Sequence, residues 1–445
     1  MPDSTHAPLS GATAASLAAF EQACHELRCF IGDPVASVDR AIAASPTMTQ
    51  AHALKAWLHL LGTEPAGLAV ARDCLHTASR LPANARERGH LEAVRLVTEG
   101  RWRAAGRVLE DVSAACPRDA LALQAGHQID FFTGDSRMLR DRVARVLPAW
   151  DAHVPGFHAV LGMYAFGLEE CGDYAQAERF GRESVDREPR DGWGWHSVAH
   201  VLEMQNRTAE GIAWLRQDSE AWTRESFFAV HNWWHLALYH LERGELEQVF
   251  ELCDGPICGK GSAVIVDLID ATALLWRLTL QGIHVGPRWE AVADRWALTQ
   301  PGNYAFNDWH AMMAFVGSGR TKAQKTIIET LRETAQGEGD TAAFAREVGL
   351  DASLAIQAFG QGRFAETVRL LRPLRHQAHR FGGSHAQRDL IDLTLLEATI
   401  RAGNPTLASA LASERVARRP ESPLARLFVE RASRIQPSPN INTNN

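Results

Sequence analysis

The feature that most constrains the fold is a turn that keeps returning. Gly62, Gly100, Gly134, Gly172, Asn206, Gly244, Gly282, Gly319, Gly362 and Gly403 each end one apolar helical run and open another, at gaps of 38, 34, 38, 34, 38, 38, 37, 43 and 41 residues. A period of this size marks stacked helix pairs, each too small to bury its own apolar face and stable only against its neighbours. Alternating strand patterns and two-residue hairpin turns between β-branched runs are scarce. The expected fold is all-α, an α-solenoid of stacked antiparallel helix pairs.

The chain has 445 residues, of which 46% are hydrophobic and 22% charged, which excludes a disordered, collagenous or integral membrane protein. Its formal charge is −7, and no long block of Lys or Arg occurs, so neither nucleic acid nor a membrane surface is expected as the main partner. The most apolar stretch, 264–280, is interrupted by Asp267, Asp270 and Arg277 and cannot span a bilayer. Seven scattered cysteines without a CxxC pair read as reduced thiols, and a cysteine-rich zinc site is not expected. The N-terminus lacks the basic cluster and apolar core of a secretory signal, so the expected location is cytoplasmic. Residues 1–15 and 436–445 are polar or Pro-rich and read as disordered tails. Between them lie helical repeats at 16–322 and C-terminal repeats at 323–435. The charged run from Ala323 to Phe344, where the spacing lengthens, reads as a seam.

YAQAERFGRESVDREP carries Ala175, Ala177, Phe180 and Val185 on a helix that stops at Pro189, and HAVLGMYAFGLEECGDY supplies the helix before it. Trp195 with Ala199, then Trp233 with Ala237, repeat a large-then-small packing pair. These segments resemble tetratricopeptide repeats. HSVAHVLEMQNRTAEGIAWL, HNWWHLALYHLERGE, DLIDATALLWRL and FNDWHAMM are more specific and resemble the tetratricopeptide repeat protein 38 family over nearly the whole chain. The resemblance implies a cytoplasmic, tetratricopeptide-like right-handed superhelix whose first helices line a concave wall, and it brings no established reaction.

His196, His200 and Glu203 stand at i, i+4 and i+7, one stripe on a helix face. They lie ten, six and three residues before Asn206, and His231 lies thirteen before Gly244. In the resembled repeats these offsets point into the groove. His235 follows His231 by four, Trp234 shares the offset of His196, and Asp270, Asp308 and His310 come from the next two first helices. One reading is a groove that binds a small polar ligand or a peptide through His196, His200, Glu203, His231, Trp234, His235, Asp270, Asp308 and His310. The alternative is a metal-dependent enzyme, hydrolase or oxidoreductase. There His196, His200, His231 and His235 ligate a divalent transition metal, because neutral imidazoles are its natural ligands, and Glu203 or Asp308 serves as base. The H-E-x-x-H motif is absent. A buried hydrogen-bond network is the bland counterpart of both.

Other signals are weaker. Asp270 and Arg277, seven apart, could form a salt bridge or join a binding site, and GGSHAQRD opens a helix whose N-terminus could hold an anion. Most of Trp193, Trp195, Trp233, Trp234, Trp276 and Trp309 should pack in the core, with Trp234 walling a pocket. GPICGKGS fails the P-loop spacing, and neither a GxSxG elbow nor a dinucleotide fingerprint occurs, so nucleotide chemistry is not expected.

Overall fold

The computed structural model describes residues 1–5, 7–259 and 261–435. Among them the chain is helical from Ala14 to Ser433 without a β-strand, and consecutive helices pack as antiparallel hairpins. Nine of the ten periodic turn residues, from Gly100 to Gly403 and including Asn206, have positive φ. At this place a helix must leave its axis through the left-handed region, which glycine enters without a Cβ penalty and asparagine tolerates. The same bond then satisfies an orphan carbonyl at successive turns: Asp173 N–H to Leu168 O (2.9 Å), Arg207 N–H to Leu202 O (2.8 Å), Glu245 N–H to His240 O (2.9 Å) and Ile283 N–H to Leu278 O (3.0 Å). At the first marker the strain moves one residue on, to Thr63 with φ 62°.

First helices such as Gly192–Met204 and Ile265–Leu280 are buried nearly all round, whereas second helices such as Tyr174–Arg187 bury one stripe. That difference follows from layering: a first helix has its own partner on one side and, here, the far side of the ring on the other. The array curls until its C-terminal repeats meet the inner wall of the earlier ones. Helix His385–Arg401 packs against Gly192–Met204 and Ile265–Leu280. Trp276 Nε1 donates to Thr394 Oγ1 (3.0 Å), and the Arg277 guanidinium donates to Ala386 O (2.6 Å). Asn307 and Asn303 donate to Thr63 Oγ1 and O (2.9 and 2.7 Å).

The seam expected at 323–344 contains helix Thr321–Thr334 and an added short helix, Gly339–Phe344. Asp340 N–H donates to Gly100 O (2.7 Å) and its carboxylate accepts from Arg103 (2.7 Å), so the added residues reach across the ring. Part of the segment 1–15 also differs from a loose tail. Leu9 is buried, Ser10 donates to Glu87, and Asn84 donates to Pro8 O. The polar composition misleads there because the ordering contacts come from the helix that starts at Ala85. The expected tail at 436–445 lies outside the described residues. Among the described residues no helix is long and apolar enough to cross a membrane.

Candidate metal centre

Helix Gly192–Met204 starts where the Asp191 carboxylate accepts the N–H groups of Trp193 and Gly194 (3.1 Å each). That cap fixes the rotation of the helix and therefore the stripe of His196, His200 and Glu203. Helix Ala229–Glu242 lies beside it and presents His231 and His235. The four imidazoles converge: ring centroids are 4.4 Å apart for His196 and His200, 4.5 Å for His200 and His235, and 4.8 Å for His196 and His231. One nitrogen from each of the four lies within 4.8 Å of the others, and the Nε2 atoms of His196 and His231 are 3.1 Å apart.

Carboxylates stand behind the rings. Asp270, on helix Ile265–Leu280, accepts from His231 Nδ1 with both oxygens at 2.9 Å. Glu203 accepts from His235 Nδ1 at 2.8 Å, and Glu169 lies 3.5 Å from His200 Nδ1 without hydrogen-bond geometry. Each such bond keeps a proton on Nδ1 and turns the lone pair of Nε2 toward the middle, the arrangement by which carboxylates orient histidine ligands.

Burial sets the charge. It drives His196 and His235 well below the ordinary histidine range and His200 down to about 4, with the neighbouring imidazoles adding to the effect on His196 and His235. These rings are neutral at pH 7 and carry free lone pairs. Burial raises Asp270, against the pull of His231, and raises Glu169 well above its usual value, reinforced by Glu170. His196 Nδ1, both nitrogens of His200 and His235 Nε2 have no hydrogen-bond partner in the chain, nor do the two oxygens of Glu169. Buried polar groups are normally paired, so this concentration of unpaired nitrogens on neutral imidazoles, at least one of them an N–H donor on His200, is what a candidate ligand set would show. Four nitrogens about 2 Å from one ion would be about 3.3 Å apart in a tetrahedron, within small side-chain movements of the observed spacing.

Apolar rings wall the centre. Phe166 lies 5.3 Å from His196 and 5.2 Å from His200, and Phe228 5.2 Å from His196. Trp234 walls the centre but no open pocket: fully buried, it stacks on His231 at 5.3 Å and 17°, with the Arg277 guanidinium 5.3 Å from its ring. The side chain of His231 is 12% exposed and is the ring of the four with access to solvent.

The nine nominated residues divide. His196, His200, Glu203, His231, Trp234, His235 and Asp270 come together; Asp308 and His310 do not join them. His310 turns Nδ1 to Phe306 O (2.8 Å), and burial lowers it to about 3. Asp308 lines a different cavity, of about 760 Å³, with Asn307, Tyr304, Trp296 and Lys322. Burial pushes its carboxyl up to about 7, although the Gly302 N–H bonds to both oxygens at 3.1 Å. The expected Asp270–Arg277 pair does not form, because seven residues span nearly two turns; Asp270 takes His231, and Arg277 takes the carbonyls of Ala273 and Ala386. GGSHAQRD does start a helix, capped by Ser384, and the anion at its N-terminus is the chain's own Glu170, which accepts from His385 N–H at 2.8 Å.

Sequence reasoning missed Glu169 and Glu170, although Glu169 stands three residues before Gly172 as Glu203 does before Asn206. The same offset rule finds it.

No family model matches the chain. Among solved structures it is similar to the APC/C hetero-tetramer Cut9–Hcn1, with a TM-score of 0.42 at 12% identity, over 94% of this chain and 76% of that one. It is also similar to Naa15/Naa10 bound to HypK-THB, with a TM-score of 0.27 at 10% identity, over 95% of this chain and 66% of that one. The class of the protein, an all-α stack of tetratricopeptide-like hairpins, is read from its own helices and turns.

Proposed function

We propose that this is a metal-binding helical-repeat protein. His196, His200, His231 and His235 hold one divalent transition metal, while Asp270 and Glu203 orient His231 and His235 through their Nδ1 atoms and Glu169 stands 3.5 Å from His200 Nδ1. The observation that carries the reading is the set of buried, neutral imidazole nitrogens with no partner in the chain. Leaving such groups unpaired costs about 1–3 kcal/mol each, which metal bonds would offset. An all-imidazole set suits zinc, iron, copper or nickel rather than magnesium or calcium. A bound ion would supply Lewis acidity at neutral pH, and His231 marks the side from which a substrate would reach it. Glu203 is committed to His235 and Asp308 lies in another cavity, so neither stands free for the base role in a metal enzyme.

The small-ligand reading belongs to the cavity at Asp308, whose volume matches small-molecule sites. A peptide on the wall at His196 finds less support, because helix His385–Arg401 covers Gly192–Met204. Membership of the tetratricopeptide repeat protein 38 family and a cytoplasmic location complete the proposal. The test is metal analysis of the purified full chain: bound zinc, iron, copper or nickel, lower by one equivalent in a His200→Ala, His235→Ala double variant that keeps its helical circular dichroism. A metal-free chain that binds none of these ions on titration would refute it.

A further inference from the structure

A second cluster of ligating atoms lies outside the four-histidine centre. His25 and Cys29, at i and i+4, share a face of helix Ala14–Cys29, and His158 comes from the first turn of helix Phe157–Glu170. One ligand atom from each lies within 4.8 Å of the others, and Cys29 Sγ is 3.9 Å from His25 Nδ1. We propose that His25, Cys29 and His158 form a second metal site, of the zinc type with one thiolate ligand.

The geometry fits a shared ion. With Zn–N about 2.0–2.1 Å and Zn–S about 2.3 Å, the tetrahedral edge between nitrogen and sulfur is about 3.6 Å, a few tenths of an ångström below the observed separation. His158 is already set as a ligand. Its Nδ1 donates to Asp191 Oδ2 at 2.7 Å, which leaves Nε2 as the lone-pair nitrogen. Asp191 is fully buried and cannot swing away, since it also accepts from Ser184 Oγ (3.1 Å) and caps the helix that carries His196 and His200. Cys29 is fixed from its C-terminal side. Phe30 leaves the helix at φ 58°, Phe227 N–H donates to Phe30 O (3.0 Å), and Gly32 N–H donates to Glu225 O (2.8 Å).

The electrostatics agree. Burial pushes His25 down, with Arg28 adding to it, so the ring is neutral. Burial also raises the Cys29 thiol, so without an ion it stays protonated and unreactive; a bound cation would take the thiolate form and release the proton to solvent. Asp191 and Glu188 supply negative charge nearby, against Arg28 and Arg190. Three protein ligands leave a fourth position for water, and His25 and His158 are both partly exposed, so this site opens to solvent more widely than the four-histidine centre, which solvent reaches at His231.

Cobalt separates the two sites, because only a thiolate gives cobalt(II) an intense near-ultraviolet charge-transfer band. The full chain, stripped with chelator and titrated with cobalt(II), should develop that band, complete by two equivalents as both sites fill, and lose it when excess zinc is added. Cys29→Ser and His25→Ala should each abolish it, the second at a partly exposed position that tolerates truncation. The His200→Ala, His235→Ala double variant should keep it, since those ligands carry no sulfur. No band in the parent, or a band unchanged in Cys29→Ser, overturns the proposal and leaves the four-histidine centre untouched.

Discussion

Replacing Asp308 by asparagine isolates the free energy of one buried proton. Burial raises this carboxyl from 3.8 to about 7, so the folded chain keeps the proton through a range in which the unfolded chain has lost it. Unfolding in that range releases a proton, the unfolded state binds fewer, and stability falls as pH rises. The loss begins near 3.8, is complete once pH passes about 7, and at about 1.36 kcal/mol per unit over roughly three units amounts to about 4 kcal/mol. Asparagine does not titrate, and its side-chain oxygen still accepts the Gly302 N–H that now bonds both carboxylate oxygens. The Asp308→Asn protein should therefore be more stable than the parent at about pH 8, with a gap that closes as pH falls toward 4. Urea unfolding followed by far-ultraviolet circular dichroism, parent beside variant across that range, reads the gap. A gap independent of pH, or one that opens toward acid, would refute the reasoning and mean that the carboxylate is charged and compensated inside the fold.

Asp270→Asn should weaken metal binding about 10- to 100-fold in a chelator competition while the helical signal stays intact; unchanged affinity would remove Asp270 from the centre. Trp234→Ala should cost about 3–5 kcal/mol in urea unfolding, because the fully buried indole fills the space between His231 and Arg277. Gly134→Ala should lower the unfolding midpoint clearly, since φ is +71° and a Cβ would lie 1.7 Å from His379 O across the ring; an unchanged midpoint would contradict that closure. Glu170 is held below its ordinary 4.5: burial alone would raise it, but Arg388, His385 and the His385 N–H outweigh that. Its contribution is present above 4.5 and lost as pH falls through the lower folded value. Glu170→Gln should thus cost about 1–3 kcal/mol near neutral pH, with the difference from the parent shrinking in acid.

The periodic glycines made the hairpins legible because a left-handed turn residue is a local requirement, visible without tertiary information. The stripe of His196, His200 and Glu203 and the pair His231 and His235 were legible for a similar reason: helical spacing fixes which side chains share a face, and neighbouring first helices pack side by side. Closure of the ring was not legible. The longer gaps after Gly319 and Gly362 permit closure but do not tell that helix His385–Arg401 turns back onto the wall, and long-range contacts such as Trp276 with Thr394 have no local signature. Asp308 was misassigned to the common site for the same reason. It stands eleven residues before Gly319, one position off the offsets of ten and twelve at which His196 and Asp270 meet His231, and it lines the separate cavity instead. The His25 and Cys29 pair was readable as i, i+4 chelation, but its third member, His158, comes from 129 residues away.

Anomalous diffraction tests the central claim most directly. Crystals of the full chain loaded with zinc in excess of two equivalents and measured on both sides of its absorption edge should give a peak within bonding distance of His196, His200, His231 and His235, with Asp270 and Glu203 still on the Nδ1 atoms behind them. Four rings joined only by waters or by one another, with no anomalous peak among them, would contradict it.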